Sequence, residues 1–205
     1  MQGTRIKRIA YPYSVKEAVV MTIVDQLKRV GCVSEYKKKE ISDELINEIV
    51  SAAMWAPSAA NVQPWEIVAV RSDEQKQQFV RATLDSHLRP GTGGDERRHW
   101  LVDAPLILVV CLDRTRAKAR YGEIGEKQFG IQDTGAATQN IRLAAQERGL
   151  KSCLVREFEP DRVAEILQLP RHVQPLLMIT MGFSDMEPKQ NPHLELVDFL
   201  HHETW

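Results

Sequence analysis

The sequence predicts an α+β protein, a sheet packed by helices, and three observations carry that prediction. Helix-period and strand-like segments are mixed along the chain without strict β-α-β alternation. No Gly-x-Gly-x-x-Gly follows a predicted strand, so a doubly wound nucleotide fold is not expected. The 205 residues are 43 % hydrophobic and 27 % charged, the balance of a folded domain and not of a disordered chain.

Taken in order, Val19, Ile23, Val24, Leu27 and Val30 recur at three- and four-residue steps and predict a helix ending near Gly31. A second helix runs from Ser42 to about Trp55. Ser42 caps it, Asp43 and Glu44 suit the positive end of its dipole, Leu45, Ile49, Ala52 and Ala53 supply the buried stripe, and Pro57 ends it. Trp65 to Val70 reads as a strand, and Ser72 with Gln75 opens a helix as a capping box that fades toward His87. Arg89 to Glu96 is glycine-dense loop. Ala104 to Leu112 is an unbroken apolar run, the pattern of a central strand covered on both faces. From Gly130 to Gly149, Ala137, Ile141, Ala144 and Ala145 line one helical face, with Gly149 where a left-handed cap is wanted. Ser152 to Val155 reads as a strand, Pro160 to Leu167 as a short helix, Leu176 to Met181 as a last strand, and Leu194 to His201 as a final helix.

Charge and composition exclude several functions. Lys and Arg number 27 against 28 Asp and Glu, a net charge of -1, so the chain has no overall basic excess to displace counterions from nucleic acid, which leaves only a local basic patch open. The longest apolar runs, such as Leu106 to Cys111, fall far short of the roughly twenty residues of a membrane span. The apolar stretch Ala18 to Val24 lacks a cleavage pattern, so a cytoplasmic protein is expected. Cys32, Cys111 and Cys153 are odd in number and widely spaced; the expectation is three reduced thiols, two in apolar settings. His193-x-Glu195 and His201-His202-Glu203 lack the spacing of a zinc site, and no metal is expected. No nucleophile elbow or Cys-His context supports covalent hydrolysis.

The most informative segment is Ala56-Pro57-Ser58-Ala59-Ala60-Asn61-Val62-Gln63-Pro64-Trp65. Two prolines restrict it, and Ser, Asn and Gln offer donors and acceptors suited to the edge of a planar heterocycle; spacing alone favours a helix stop and a turn. This segment resembles the Ala-Pro-Ser-x-x-Asn-x-Gln-Pro-Trp of the FMN-dependent nitroreductases. The resemblance continues through Gly130-Ile131-Gln132-Asp133-Thr134-Gly135-Ala136-Ala137-Thr138-Gln139-Asn140-Ile141, Gly149-Leu150-Lys151-Ser152-Cys153, Leu169-Pro170 and Met181-Gly182-Phe183. It implies one domain over residues 21–205 behind an extension of residues 1–20.

The resemblance further implies a sandwich with a mostly antiparallel central sheet, an intertwined homodimer, and FMN in the dimer interface. The loop matching Pro57, Ser58, Ala59 and Asn61 then reaches the flavin of the other subunit, while Leu154, Val155 and Arg156 lie by the ring edge. The family's usual Arg-Arg-Ser-x-Arg phosphate run is matched by Val30, Gly31, Cys32 and Ser34, a thinned clamp that leaves Arg29 and Lys189 as the expected cations. Glu157 stands where glycine is common. Arg98 matches a basic position beside flavin N1, though Asp95-Glu96-Arg97-Arg98 reads as well as a solvated surface cluster, as does the run Arg114, Arg116, Lys118, Arg120. The implied activity is ping-pong hydride transfer from NADH or NADPH, through FMN, to a nitroaromatic, a quinone or another small oxidant, with no catalytic side chain. His87 to Lys127 is the expected substrate cover. A flavin carrier or sensor without turnover, and a dehalogenase or flavin-modifying member of the family, are the alternatives.

Overall fold

The hydrophobic pattern of Leu106–Asp113 builds the centre of the molecule. In the computed structural model, which describes residues 22–83, 100–189 and 191–205, this strand, β2, is buried from Leu106 through Leu112. The other strands are β1 (Trp65–Val70), β3 (Lys151–Val155) and β4 (Val173–Gly182). Their order is β1-β2-β4-β3 and every pairing is antiparallel, for example Val68 with Val109, Leu108 with Ile179 and Cys153 with Thr180. A bulge between Val110 and Cys111 shifts the register of β2 on β4.

Because side chains alternate across a strand, β2 feeds two cores. Leu106, Leu108 and Val110 join Ile179 and Met181 on one face, beneath Ile46 and Ile49 of α2 (Asp43–Ser51) and Ala137, Ile141 and Ala145 of α6 (Gly130–Glu147). Ile107, Val109 and Cys111 join Met178 on the other, beneath Phe79 of α3 (Asp73–Ala82) and Val163 of α7 (Pro160–Ile166). The sheet is thus a middle layer between two layers of helices. Burial pushes the Cys111 thiol up to about 12, with the charge of Glu66 adding to it.

Local chemistry sets the helix ends. Thr22 caps α1 (Ile23–Arg29) in a capping box with Asp25, whose carboxyl those Thr22 hydrogen bonds hold below its ordinary value. Ser42 Oγ accepts from Leu45 N at 3.3 Å, and Ser72 Oγ from Gln75 N at 3.4 Å. Gly149, at φ 75°, provides the left-handed exit from α6. Lys76 of α3 is buried, and its ammonium donates to the carbonyls of Val102 and Ala104, 3.1 Å each, at the end of α4 (Trp100–Asp103).

The second helix reaches Trp55 as expected, its last turn, Ala52–Trp55, tightened to 3₁₀. Three expectations are corrected. The run of basic residues after β2 is helix α5 (Arg114–Ile124), continued by a π-helical turn, Gly125–Phe129, into α6. Arg114, together with Lys118 at 2.7 Å, pairs with Glu126, and Arg116 pairs with Glu66 and Asp113, so these cations hold the fold together instead of lying free in solvent. Lys118 first, and Arg114 with it, hold the Glu126 carboxyl below its ordinary value. The last predicted helix is a single 3₁₀ turn, Leu196–Asp198, whose apolar residues stay largely exposed among the described residues: Val197 is 78 % exposed. Finally, the expected cover His87 to Lys127 contains β2 itself and so cannot be a cover throughout; residues 87–99, Arg98 among them, lie outside the described residues.

Candidate functional site

The Pro57 loop is held in an unusual shape. Ala60, Asn61 and Gln63 all have left-handed backbones, with φ of 50°, 56° and 47°. Asparagine tolerates this, whereas alanine and glutamine pay on the order of 1–3 kcal/mol each, so the surroundings must impose it. Ser58 closes the turn, its carbonyl accepting from Asn61 N at 2.9 Å and its hydroxyl from Gln63 N at 3.0 Å. Asp133 of α6 accepts from Ala59 N at 3.0 Å, and Arg116 donates to the Gln63 carbonyl at 2.7 Å. The outcome is a pinned loop on which Pro57, Ala60 and Asn61 are exposed.

A second group of predicted residues gathers farther along α6. The coil after α1 carries Val30 and Gly31, and β3 with its continuation carries Leu154, Val155 and Arg156. Cys32 and Cys153 join the two segments through a disulfide, which corrects the expectation of three reduced thiols; only Cys111 is a free, buried thiol. A pairing across 121 positions follows from the tertiary approach of coil and strand, and no spacing in the sequence marks it. Pro188 packs on Gly31 so closely that a Cβ there would lie 2.1 Å from the Pro188 Cβ, which brings Lys189 to the same place. Tyr36 anchors the coil from beyond, its hydroxyl donating to the Val33 carbonyl at 3.0 Å and lying 2.7 Å from Thr180 Oγ1. Burial raises its phenol above the ordinary value.

Sequence reasoning missed two residues that organise this region. One is Asp133. The other is Arg142, which is only 9 % exposed although it is charged. Its Nε donates to Ser152 Oγ at 3.2 Å and its Nη2 to the Gly31 carbonyl at 3.0 Å, the neighbours of the two disulfide cysteines. The signal was present: Arg142 interrupts an otherwise small and apolar helical face between Ile141 and Ala145.

Arg29, Arg156 and Lys189 are exposed, and none makes an ion pair among the described residues. No helix among the described residues is long and apolar enough to cross a membrane, and no cluster of three metal-capable side chains was found among them.

Asp133, which holds the loop, and Arg142, which holds the coil, are nine residues apart on α6, ~14 Å of helix rise. The fold is an antiparallel sheet between layers of helices, with two groups of candidate residues placed along one central helix. The chain belongs to the nitroreductase family, whose family model matches residues 31–183. A protein of Archaeoglobus fulgidus, provisionally named an NADH dehydrogenase/NAD(P)H nitroreductase, is 30 % identical over 181 residues, covering 83 % of this chain and 91 % of its own. The FMN reductase [NAD(P)H] of Bacillus subtilis is 25 % identical over 186 residues, 84 % of this chain and 70 % of its own. Among solved structures, the NADPH:FMN oxidoreductase of Vibrio harveyi complexed with NAD+ shares the fold, with a TM-score of 0.75 at 21 % identity over 89 % of this chain and 77 % of its own.

Proposed function

We propose that this chain is an FMN-dependent NAD(P)H oxidoreductase whose residues 21–205 form one domain and whose working unit is a homodimer. The observation that carries the reading is the family match over residues 31–183. When bound, FMN supplies hydride exchange, first with NADH or NADPH and then with a small oxidant such as a nitroaromatic or a quinone.

The donor set suits that group. Arg29 and Lys189 flank the Gly31 coil as cations for a phosphate, and Leu154, Val155 and Arg156 border the same coil through the disulfide. Pro57 and Asn61, exposed on a loop whose Ser58 and Ala59 are half-buried and pinned, are offered to a ring system, with Asp133 holding the loop. In this reading a dimer brings the two groups together, each loop serving the other chain's coil.

Apolar surface supports the pairing. Ile23 and Val24 of α1 and Leu194, Leu196, Val197 and Phe199 of the tail are each more than half exposed, which is costly for a monomer. A second copy covers both in this reading, and the site is then completed by two chains. A flavin-binding protein without turnover is the second reading, favoured by the missing cations at Val30 and Gly31 and by Glu157.

The absorption spectrum of the purified protein, bare and with added FMN, tests the proposal. A bound flavin spectrum that NADH or NADPH bleaches anaerobically is the expected result. Flavin binding without bleaching favours the second reading, and a protein that takes up no flavin rejects both.

A further inference from the structure

Arg142 carries a buried charge with no counterion in view. Its acceptors are the Gly31 carbonyl, Ser152 Oγ and, at 3.4 Å, Gln139 Oε1, all neutral. No carboxylate pairs with it among the described residues. Tyr36 does not balance the charge, since burial keeps its phenol protonated. An arginine desolvated in this way is expensive unless an anion arrives, and it holds five N–H donors in a fixed fork, more than the three acceptors use. The surroundings increase the cost: desolvation foremost, and then the nearby charge of Arg156, hold its guanidinium below the ordinary arginine value.

The position of this charge is specific. Val30 and Gly31 match the two arginines that open the family's usual phosphate run, and neither carries a cation here. Position 31 has no room for one, because any Cβ would collide with Pro188. The guanidinium that reaches the Gly31 backbone comes instead from α6.

We propose that the cationic clamp of this protein has moved from the coil after α1 to helix α6, and that Arg142, with Arg156 beside it, binds the phosphate monoester of FMN. The inference rests on the FMN reading above and specifies which of the chain's own groups recognise the phosphate. Arg142 thereby sets the preference for FMN over riboflavin, which has the same ring system and no phosphate. A buried arginine already tied to Gly31 and Ser152 is pre-organised for the task, whereas an exposed Arg29 must be ordered on binding.

The test is a fluorescence titration of the flavin-free protein with FMN and, separately, with riboflavin. It is run on the wild type, Arg142→Gln, Arg142→Lys and Arg156→Ala, with circular dichroism confirming the fold. The wild type is expected to prefer FMN. Arg142→Gln is expected to lose roughly ten- to hundredfold of that preference, the range of a lost charge-assisted hydrogen bond, with riboflavin affinity unchanged. Arg142→Lys retains part of the preference and Arg156→Ala reduces it.

An unchanged FMN-to-riboflavin ratio in the Arg142 and Arg156 variants overturns the inference and leaves the FMN reading standing. Equal loss of both flavins in a folded Arg142 variant also overturns it, since that is the signature of a structural cross-link. Should Arg142→Gln fail to fold, the ratios of Arg142→Lys and Arg156→Ala decide, and both at the wild-type value reject the clamp. A wild type that binds neither flavin rejects the FMN reading and the inference together.

Discussion

Cys32 and Cys153 are covalently joined, and the bond ties the irregular coil after α1 to strand β3. Residues 30–42 have no helix or strand of their own, so their position depends on tertiary contacts, among them this bond, the Arg142 contact to Gly31, the Tyr36 hydroxyl and the Lys37 N–H donating to the Phe183 carbonyl. Alkylation under denaturing conditions should modify one cysteine without reductant and three with it, as read by mass spectrometry. Cys153→Ser should lower the thermal midpoint, because opening so long a loop costs about 2–4 kcal/mol, roughly 4–16 °C at this chain length. Three cysteines alkylated without reductant would contradict the bond.

Asp133 is the tie between α6 and the Pro57 loop. Its carboxylate accepts from Ala59 N at 3.0 Å beside three left-handed residues. Asp133→Ala should cost about 1–2 kcal/mol of stability and weaken FMN binding roughly tenfold by letting the loop relax. Urea denaturation and flavin titration measure the two effects; an unaffected FMN affinity would remove the loop from the site.

Arg29 and Lys189 give a separate prediction for the outer phosphate contacts. Each is exposed, so Ala at either position should weaken FMN binding only a few-fold, about 0.5–1 kcal/mol, and more at low salt than at high salt. Fluorescence titration at two ionic strengths checks this. Unchanged affinity in both variants would exclude them from the phosphate site.

The alkaline limb of stability reports buried groups. The Cys111 thiol is raised in the folded state from 9.0 to about 12, so the folded protein holds this proton more tightly than the unfolded chain. Stability therefore falls as pH rises above 9.0 and goes on falling until about 12, with the raised phenol of Tyr36 contributing from about 10.0 upward. Cys111→Ala should flatten the decline in urea midpoint above pH 9.0 while lowering the midpoint at neutral pH. An unchanged alkaline slope would contradict the burial.

The fold was legible where one physical rule dominated. Ala104 to Leu112 reads as a strand covered on both faces, and β2, Leu106–Asp113, is that strand. The cap at Ser42 and the left-handed Gly149 followed equally from local chemistry. Helix α5 was not legible, because its basic residues lack an apolar stripe and are stabilised by carboxylates elsewhere in the chain, Glu66 and Glu126. The site divides the same way. The Pro57 to Asn61 loop was recognisable as a motif, whereas Asp133, Arg142 and the Cys32 to Cys153 bond act through tertiary contacts between residues 74 to 121 positions apart.

In the proposed reading a homodimer unites the two groups of site residues. Replacing Val197 and Phe199 by Glu removes the apolar tail proposed to cover the second copy. Sedimentation should shift the protein toward monomer, and FMN should be lost with it. A dimer that persists with flavin bound would place the interface elsewhere.

The central claim is that the chain binds FMN and exchanges hydride through it. The most direct measurement is an anaerobic titration of the FMN-loaded protein with NADH and with NADPH, followed in the visible flavin band. The account predicts stoichiometric bleaching by at least one of them and recovery on adding a quinone or a nitroaromatic. A flavin that stays bound and oxidised in excess of both nucleotides would contradict it.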